Sequence, residues 1–525
     1  MKSPKQITAS IVAAVAALGL AACSTTVADS STSSATTTSV TSAATSGASA
    51  QNASSDASSA ASASELLADD AESHAQTDDA DVDTSDAVTI TLADGASTAS
   101  GDGVSIDGDT VTITAPGTYV LSGTLSDGSV VVTSDAEGKV NLVLDGTNIT
   151  NSQGAAINIT AADEAVVILG DGSENALADG TAYDTSAEDA PNATLFSMAD
   201  LTIAGSGSLT VTGNTNDGIA SKDGLVILGG DITVHATDDG VRGKDYLIVE
   251  SGKLDVTSGG DSLKSDNETD DTVGYVLVTG GTVTVNAGDD GIHAEGDLGI
   301  TGGTLTIAKS VEGIEGANIV IAGGATTITS SDDGVNVTSG TSSGGGMGGG
   351  GQDDGSLLQI SGGTLVVNAD GDALDSNGSA TMTGGTVIAS GPTMNGNGTI
   401  DVNGGFDVSG GTLVAAGSAG MAESPSSDSS QGWLQLNFSP SVAAGETISV
   451  VQDGTVIASY TTVKEVANFV FSGAGITAEE SYQIYIGGKL ADEVVGTYSA
   501  GGSVDGATEA GSVTAGVSTG GGMGR

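Results

Sequence analysis

The chain is poor in the residues that staple small domains or grip nucleic acid. Cys23 is its only cysteine, so no intramolecular disulfide can form and the fold must be held by its core or by metal. Twelve Lys and Arg stand against 67 Asp and Glu, a net charge of −55, which excludes nucleic acid as a partner and favours divalent cations. With three His and one Cys there is no ligand set for a transition-metal cluster. Aromatics make up only 3% of the residues, which weakens any stacking on neutral sugar. Prolines number six against 82 glycines, a balance that suits chain corners needing positive φ without breaking sheet ladders. The repeated part of the sequence has no apolar i, i+3, i+4, i+7 pattern, which excludes a helical solenoid.

What is there is a repeat. Gly230, Gly252, Gly281, Gly303, Gly324, Gly363, Gly385 and Gly411 each open the phrase Gly, small or polar, aliphatic, polar, aliphatic. Their steps of 22, 29, 22, 21, 39, 22 and 26 residues define a unit of roughly 22 with insertions. Aliphatics alternate within it, as in Ile232 and Val234, Leu254 and Val256, or Leu305 and Ile307, and Thr326 breaks the column once. Such alternation between Gly-Gly and Asp-Gly describes short strands. A second phrase follows, as in Asp239-Gly240-Val241, and a third apolar pair, such as Leu247 and Ile248, closes most units. Three short strands per turn predict an all-β fold, a right-handed parallel β-helix.

The ends differ from the middle. Residues 1–22 have the pattern of a lipoprotein signal peptide, with a basic start, an apolar stretch and Leu20-Ala21-Ala22-Cys23 resembling a lipobox, so Cys23 is the expected lipidated residue. The expected location is exported, lipid-anchored to the cell membrane on its extracellular face, with no later span long and apolar enough to cross a bilayer. Residues 23–87, rich in Ser, Thr, Ala and Asp, read as a disordered tether. The β-helix is expected over 88–430. Residues 431–500, holding the only Trp (Trp433), read as a small β module, and 501–525 as a flexible Gly-rich tail, like the segment from Ser343 to Gly351.

In stacked turns, equivalent residues lie about 4.8 Å apart. Asp217, Asp239 and Asp261, spaced by 22, therefore form a row that continues through Asp290, Glu312, Asp333 and Asp372. Bare carboxylates at that distance repel by about 1 kcal/mol per neighbour even at the dielectric of water. Ca²⁺ would neutralise them, with Asp217, Asp238, Asp239, Asp261, Asp289, Asp290, Asp332, Asp333 and Asp372 as candidate ligands. The alternative is that each Asp-Gly is simply a corner dipeptide. Against that, the acid persists without its glycine at Asp261-Ser262 and Asp372-Ala373.

Two residues after the acid lies a core aliphatic, and the next position, outward, reads Ala220, Arg242, Lys264, His293, Glu315, Asn336, Asp375. With Lys222 and Lys244 close by, Arg242, Lys244, Lys264 and His293 form a basic stripe beside the acids. A cation row flanked by bases is a receptor for polymeric uronic acid. Equally, the bases pair with Asp223, Asp245 and Asp266 on the surface.

The motifs Gly117-Thr118-Tyr119-Val120-Leu121-Ser122-Gly123, Leu142-Val143-Leu144-Asp145-Gly146, Asn216-Asp217-Gly218-Ile219-Ala220-Ser221-Lys222-Asp223, Asp239-Gly240-Val241-Arg242-Gly243-Lys244-Asp245 and Asp261-Ser262-Leu263-Lys264-Ser265-Asp266-Asn267 resemble the secreted bacterial carbohydrate-binding β-helix family over roughly residues 88 to 420. The resemblance implies a calcium-loaded right-handed β-helix, similar in fold to pectate lyases, that binds polygalacturonate and cellulose. Three readings follow: a cell-surface binder of acidic or cellulosic polysaccharide, a calcium-dependent pectate-type lyase with Lys264 or Arg242 as base, or a non-catalytic adhesin. Trp433 could serve a neutral glycan in the terminal module.

Overall fold

The structure is a computed structural model and describes residues 67–187, 190–339 and 353–516. The expected leader, Cys23 and the segment from Ser343 to Gly351 lie outside the described residues. Those described are all-β, with no helix among them.

From Ala193 onward the strands fall into three parallel ladders, and the chain returns to the same ladder at every third strand. One runs Leu201–Gly205, Gly224–Ile227, Tyr246–Val249, Tyr275–Val278, Asp297–Ile300, Asn318–Ile321 and on to Phe406–Val408. A second runs Ser208–Gly213, Asp231–Ala236, Lys253–Thr257, Thr282–Asn286 and on to Thr412–Gly417. The third is a separate 13-stranded sheet that includes Asp217–Ser221, Val241–Gly243, Leu263–Ser265, Ile292–Ala294, Ile314–Gly316, Val335–Val337, Leu374–Ser376 and Ile400–Val402. Register is kept through the insertions: Leu254 lies on Val283 although 29 residues separate them, because the extra residues sit in corners. Inward aliphatics of all three ladders, such as Ile219, Leu225 and Ile232, form one core. At the corners, Gly281, Gly303, Gly324 and Gly363 hold φ of +69 to +77°, the reason the Gly-Gly signature recurs.

The first ladder is apolar on both faces, as the unbroken runs Leu225-Val226-Ile227 and Leu247-Ile248-Val249 require. Its outer face is covered by residues 67–83, which the composition assigns to a disordered tether reaching residue 87. Leu67 packs on Val320 and Ala322, Ala75 on Val226, Tyr246, Ile248 and Tyr275, and Val82 on Val143, Val166 and Ile168. Polar ties hold the same strap. His74 Nδ1 lies 2.8 Å from the Tyr246 hydroxyl, the Tyr275 hydroxyl donates to the Ala71 carbonyl at 2.8 Å, and Lys139 pairs with Asp79. Composition points to disorder, but three spaced apolar residues and a waiting apolar stripe are enough to order the segment.

At the other end, Val466–Ser472 pairs antiparallel with both Thr412–Gly417 and Trp433–Val442, so the module is hydrogen-bonded onto the last strand of the second ladder. A five-stranded antiparallel sheet packs over this extension. It includes Thr508–Thr514, paired with Ser481–Ile486, so residues 501–516 are not a flexible tail.

Thr326, the break in the apolar column, lies between Leu305 and Leu365, and its hydroxyl is buried without a hydrogen-bond partner. Thr326→Val should therefore raise stability by about 1 kcal/mol in urea denaturation. A chain beginning at Val88 bares the stripe under the strap; in sedimentation velocity it should self-associate under conditions where the full chain is monomeric.

Candidate functional site

The acid that opens each strand of the third ladder has a structural task. One carboxylate oxygen accepts the backbone N–H of the equivalent residue a turn later: Asp239 N–H to Asp217 Oδ1 at 3.3 Å, Asp261 to Asp239 at 3.0 Å, Asp290 to Asp261 at 2.9 Å and Glu312 to Asp290 at 3.3 Å. The series resumes with Asp372 N–H on Asp333 and Gly398 N–H on Asp372, both at 2.6 Å. The chain of bonds explains why the acid persists where its glycine is lost. It also supplies a reason for the row that needs no metal.

The remaining oxygens face the outward row three residues on. Register stacks Phe196, Ala220, Arg242, Lys264, His293, Glu315, Asn336, Asp375 and Asp401 in sequence. The row begins apolar, passes through bases and ends acidic. In the basic stretch the counterions are internal. Arg242 forks onto Asp266 and lies 3.7 Å from Asp217, while Lys264 bridges Asp239 at 3.2 Å and Asp261 at 2.8 Å. His293 sits between Asp290 at 3.6 Å and Glu315 at 3.8 Å. Of the surface pairings considered from sequence, only Arg242 with Asp266 forms. Burial alone would lower the Lys264 ammonium, but hydrogen bonds and charges from Asp261 and Asp239 outweigh it and hold the group well above its usual range. The same balance, with Asp266 dominant, raises Arg242. His293 is likewise pushed up to about 10 by Asp290 and Glu315 against its burial, and a ring nitrogen of His293 and oxygens of Asp261 and Asp290 lie within 4.8 Å of one another.

Lys222 and Lys244 differ. Half-buried beside Arg242, neither forms an ion pair with any described residue. Burial, then the Arg242 charge, lowers Lys222.

Apart from Glu315, which His293 pairs, the later acids Glu312, Asp333, Asp372, Asp375 and Asp401 form no ion pair with a described base. Burial is the main cause that raises Glu312 to about 8, Asp333 to about 6, and Asp372 and Asp375 to about 7 each, with neighbouring carboxylates adding to it. Glu315, accepting from His293 and Glu312, is held low, so Glu312 keeps the proton of that pair. Oxygens of Asp290, Glu312 and Glu315 lie within 4.8 Å of one another, an all-carboxylate donor set that suits a hard cation. Of the proposed ligands, Asp217, Asp239 and Asp261 are buried under bases or amides, Asn192 donating to Asp217 at 2.7 Å. Asp238, Asp289 and Asp332 are exposed on the rim. Asp238 and Asp332 nonetheless reach the next turn: a Cβ at Gly260 would meet oxygens of Asp239 and Asp238 at 2.7 and 2.8 Å, and one at Gly371 would meet Asp333 and Asp332 at 2.3 and 2.5 Å.

Sequence reasoning missed Asp401, whose turn carries Gly398-Thr399 in place of an acid and glycine, and Tyr183. The Tyr183 hydroxyl donates to Asp179 at 2.9 Å, near the Asp217 end of the row. Trp433 is buried and so is no sugar platform.

The class of molecule so defined is an all-β chain of stacked parallel ladders carrying a graded, charged outward row. A family model described as "Carbohydrate-binding domain-containing protein" matches residues 107–355. A carbohydrate-binding domain-containing protein of Acetivibrio thermocellus is 44% identical over 137 residues, which cover 26% of this chain and 48% of that protein. The chain thus spans about half the length of the curated relative it matches. Both findings support the resemblance to carbohydrate-binding domain-containing proteins. Among solved structures, one of the polysaccharide lyase-like protein from C. thermocellum, as its gadolinium derivative, is 33% identical, covers 48% of this chain and 98% of its own, and has a TM-score of 0.40.

The raised acids fix the sign of a pH effect. A carboxyl whose folded pKa exceeds its unfolded value costs stability progressively as pH rises from about 4 through the folded pKa. With EDTA present, the thermal midpoint should therefore fall between pH 4 and 8. Glu312→Gln together with Asp375→Asn should flatten that fall in differential scanning calorimetry.

Proposed function

We propose that this chain is a cell-surface binding protein for acidic, pectin-like polysaccharide, working through a right-handed parallel β-helix into which the three ladders close. The observation that carries the reading is the outward row: three bases on consecutive rungs, then Glu315 and Asn336, then Asp375 and Asp401 with no base among the described residues. A uronate chain lying along it presents carboxylates at spacings the rungs can meet. Lys222 and Lys244, free of internal partners, donate to them directly. Calcium would sit from Asp290 onward, held by Asp290, Glu312 and Glu315 and by the Asp333, Asp372, Asp375 and Asp401 series. There it would neutralise the row and bridge to sugar carboxylates. A signal peptide and lipidation at Cys23 would place the domain outside the cell, and the match to carbohydrate-binding domain-containing proteins supports the ligand class.

A second reading, eliminative cleavage, needs a base that can be neutral. Lys264 and Arg242 are held protonated and are unsuited to that role, so the base would be Lys222, the one row-side cation pushed downward.

Titration calorimetry of the full chain with polygalacturonate, with calcium and then EDTA, separates these readings when ultraviolet absorbance of the same samples is followed. Binding should be calcium-dependent, weakened about tenfold by Lys222→Ala with Lys244→Ala, and free of new absorbance. Unsaturated product abolished by Lys222→Met would establish the lyase instead, and absence of both signals would discard both.

A further inference from the structure

Outside the family match, the terminal module carries a groove of about 690 Å³ between Trp433–Val442 and Thr508–Thr514. Its volume is within the range of small-ligand sites. Phe438 and Ile486, half-buried, and Ile484 and Val513, buried, line it with apolar surface. Asn437, Ser512 and Glu446, all exposed, bring an amide, a hydroxyl and a carboxylate to the same space. The large aromatics around it, Trp433, Tyr460, Phe469, Phe471 and Tyr482, are buried in the module's core, whereas Phe438 faces the groove.

We propose that this groove is a separate binding site for a neutral saccharide. No Lys, Arg or His lines it, and Glu446 stands at its edge, so its charge repels the uronates that the row would take. An aromatic face beside hydroxyl, amide and carboxylate groups matches a sugar ring, which is apolar on its faces and hydroxylated at its rim. Addition of a protein strand fits less well. Pro440 has no N–H to offer along one bordering strand, and the other bordering strand is irregular opposite Ile484 and Tyr485. The chain would then hold charged and neutral polymer at two distinct places.

The test is calorimetry of the full chain with cellohexaose, xylohexaose and mannohexaose, and with polygalacturonate in parallel. At least one neutral hexaose should bind, at least tenfold more weakly in Phe438→Ala and in Ser512→Trp, while polygalacturonate binding is unchanged in both. Ser512 is exposed, so Ser512→Trp fills the groove without disturbing the core and decides the matter if Phe438→Ala fails to fold. The proposal is overturned if no hexaose binds, or if binding survives Ser512→Trp. It is equally overturned if the chain sediments as a dimer that Ser512→Trp dissociates, which would make the groove a seat for a protein strand. Because polygalacturonate is measured separately, failure here leaves the row untouched, and failure of the row leaves the groove.

Discussion

Return of the chain to the same ladder every third strand forces each residue type to lie beside its own copies. An aliphatic repeated at one position becomes a core column, and an acid repeated at one position becomes a line of like charges about 4.8 Å apart. The first outcome favours folding and the second opposes it. Much of the third ladder's chemistry follows from how that second outcome is managed.

Two solutions occur along one row. From Arg242 to His293 the protein supplies its own counterions, one base per rung, each reaching a carboxylate that also accepts a backbone N–H from the next turn. Further on, Glu312, Asp372 and Asp375 have no base among the described residues, and burial with neighbouring carboxylates raises each of them. The first half leaves Lys222 and Lys244 without an ion-pair partner among the described residues; the second leaves most of its acids without a base. The outward row therefore changes sign along its length.

Much of this is legible in the sequence. The Gly-Gly corners, the alternating aliphatics and the spacing of the acids lead to parallel ladders and to the identity of the outward row from Ala220 to Asp375. What cannot be read is partnership. Spacing puts Lys264 outward but cannot tell that it leans back onto Asp239 and Asp261, since side-chain direction depends on contacts between neighbouring turns. That the acid at Asp261-Ser262 accepts a bond from the next turn's backbone leaves no mark in local sequence. Asp401 is hidden by a turn that lacks the motif. The strap escapes notice because its composition is that of a disordered chain, although the doubled apolar runs of the first ladder signal a face needing cover.

The strap runs opposite to the order of the rungs it covers. Leu67 lies at Asn318–Ile321, Ala75 at the tyrosine rungs and Val82 near Lys139–Asn151, after which the chain enters its first strand at Val88. A mechanical load applied to the chain before Leu67 is thus delivered midway along the stack rather than at its first rung. It meets the three apolar anchors in succession, as a zipper does, so each gives way singly while the ladders behind them remain unloaded. The strap is in effect a length of slack, and the fold is spared the pull until that slack has run out.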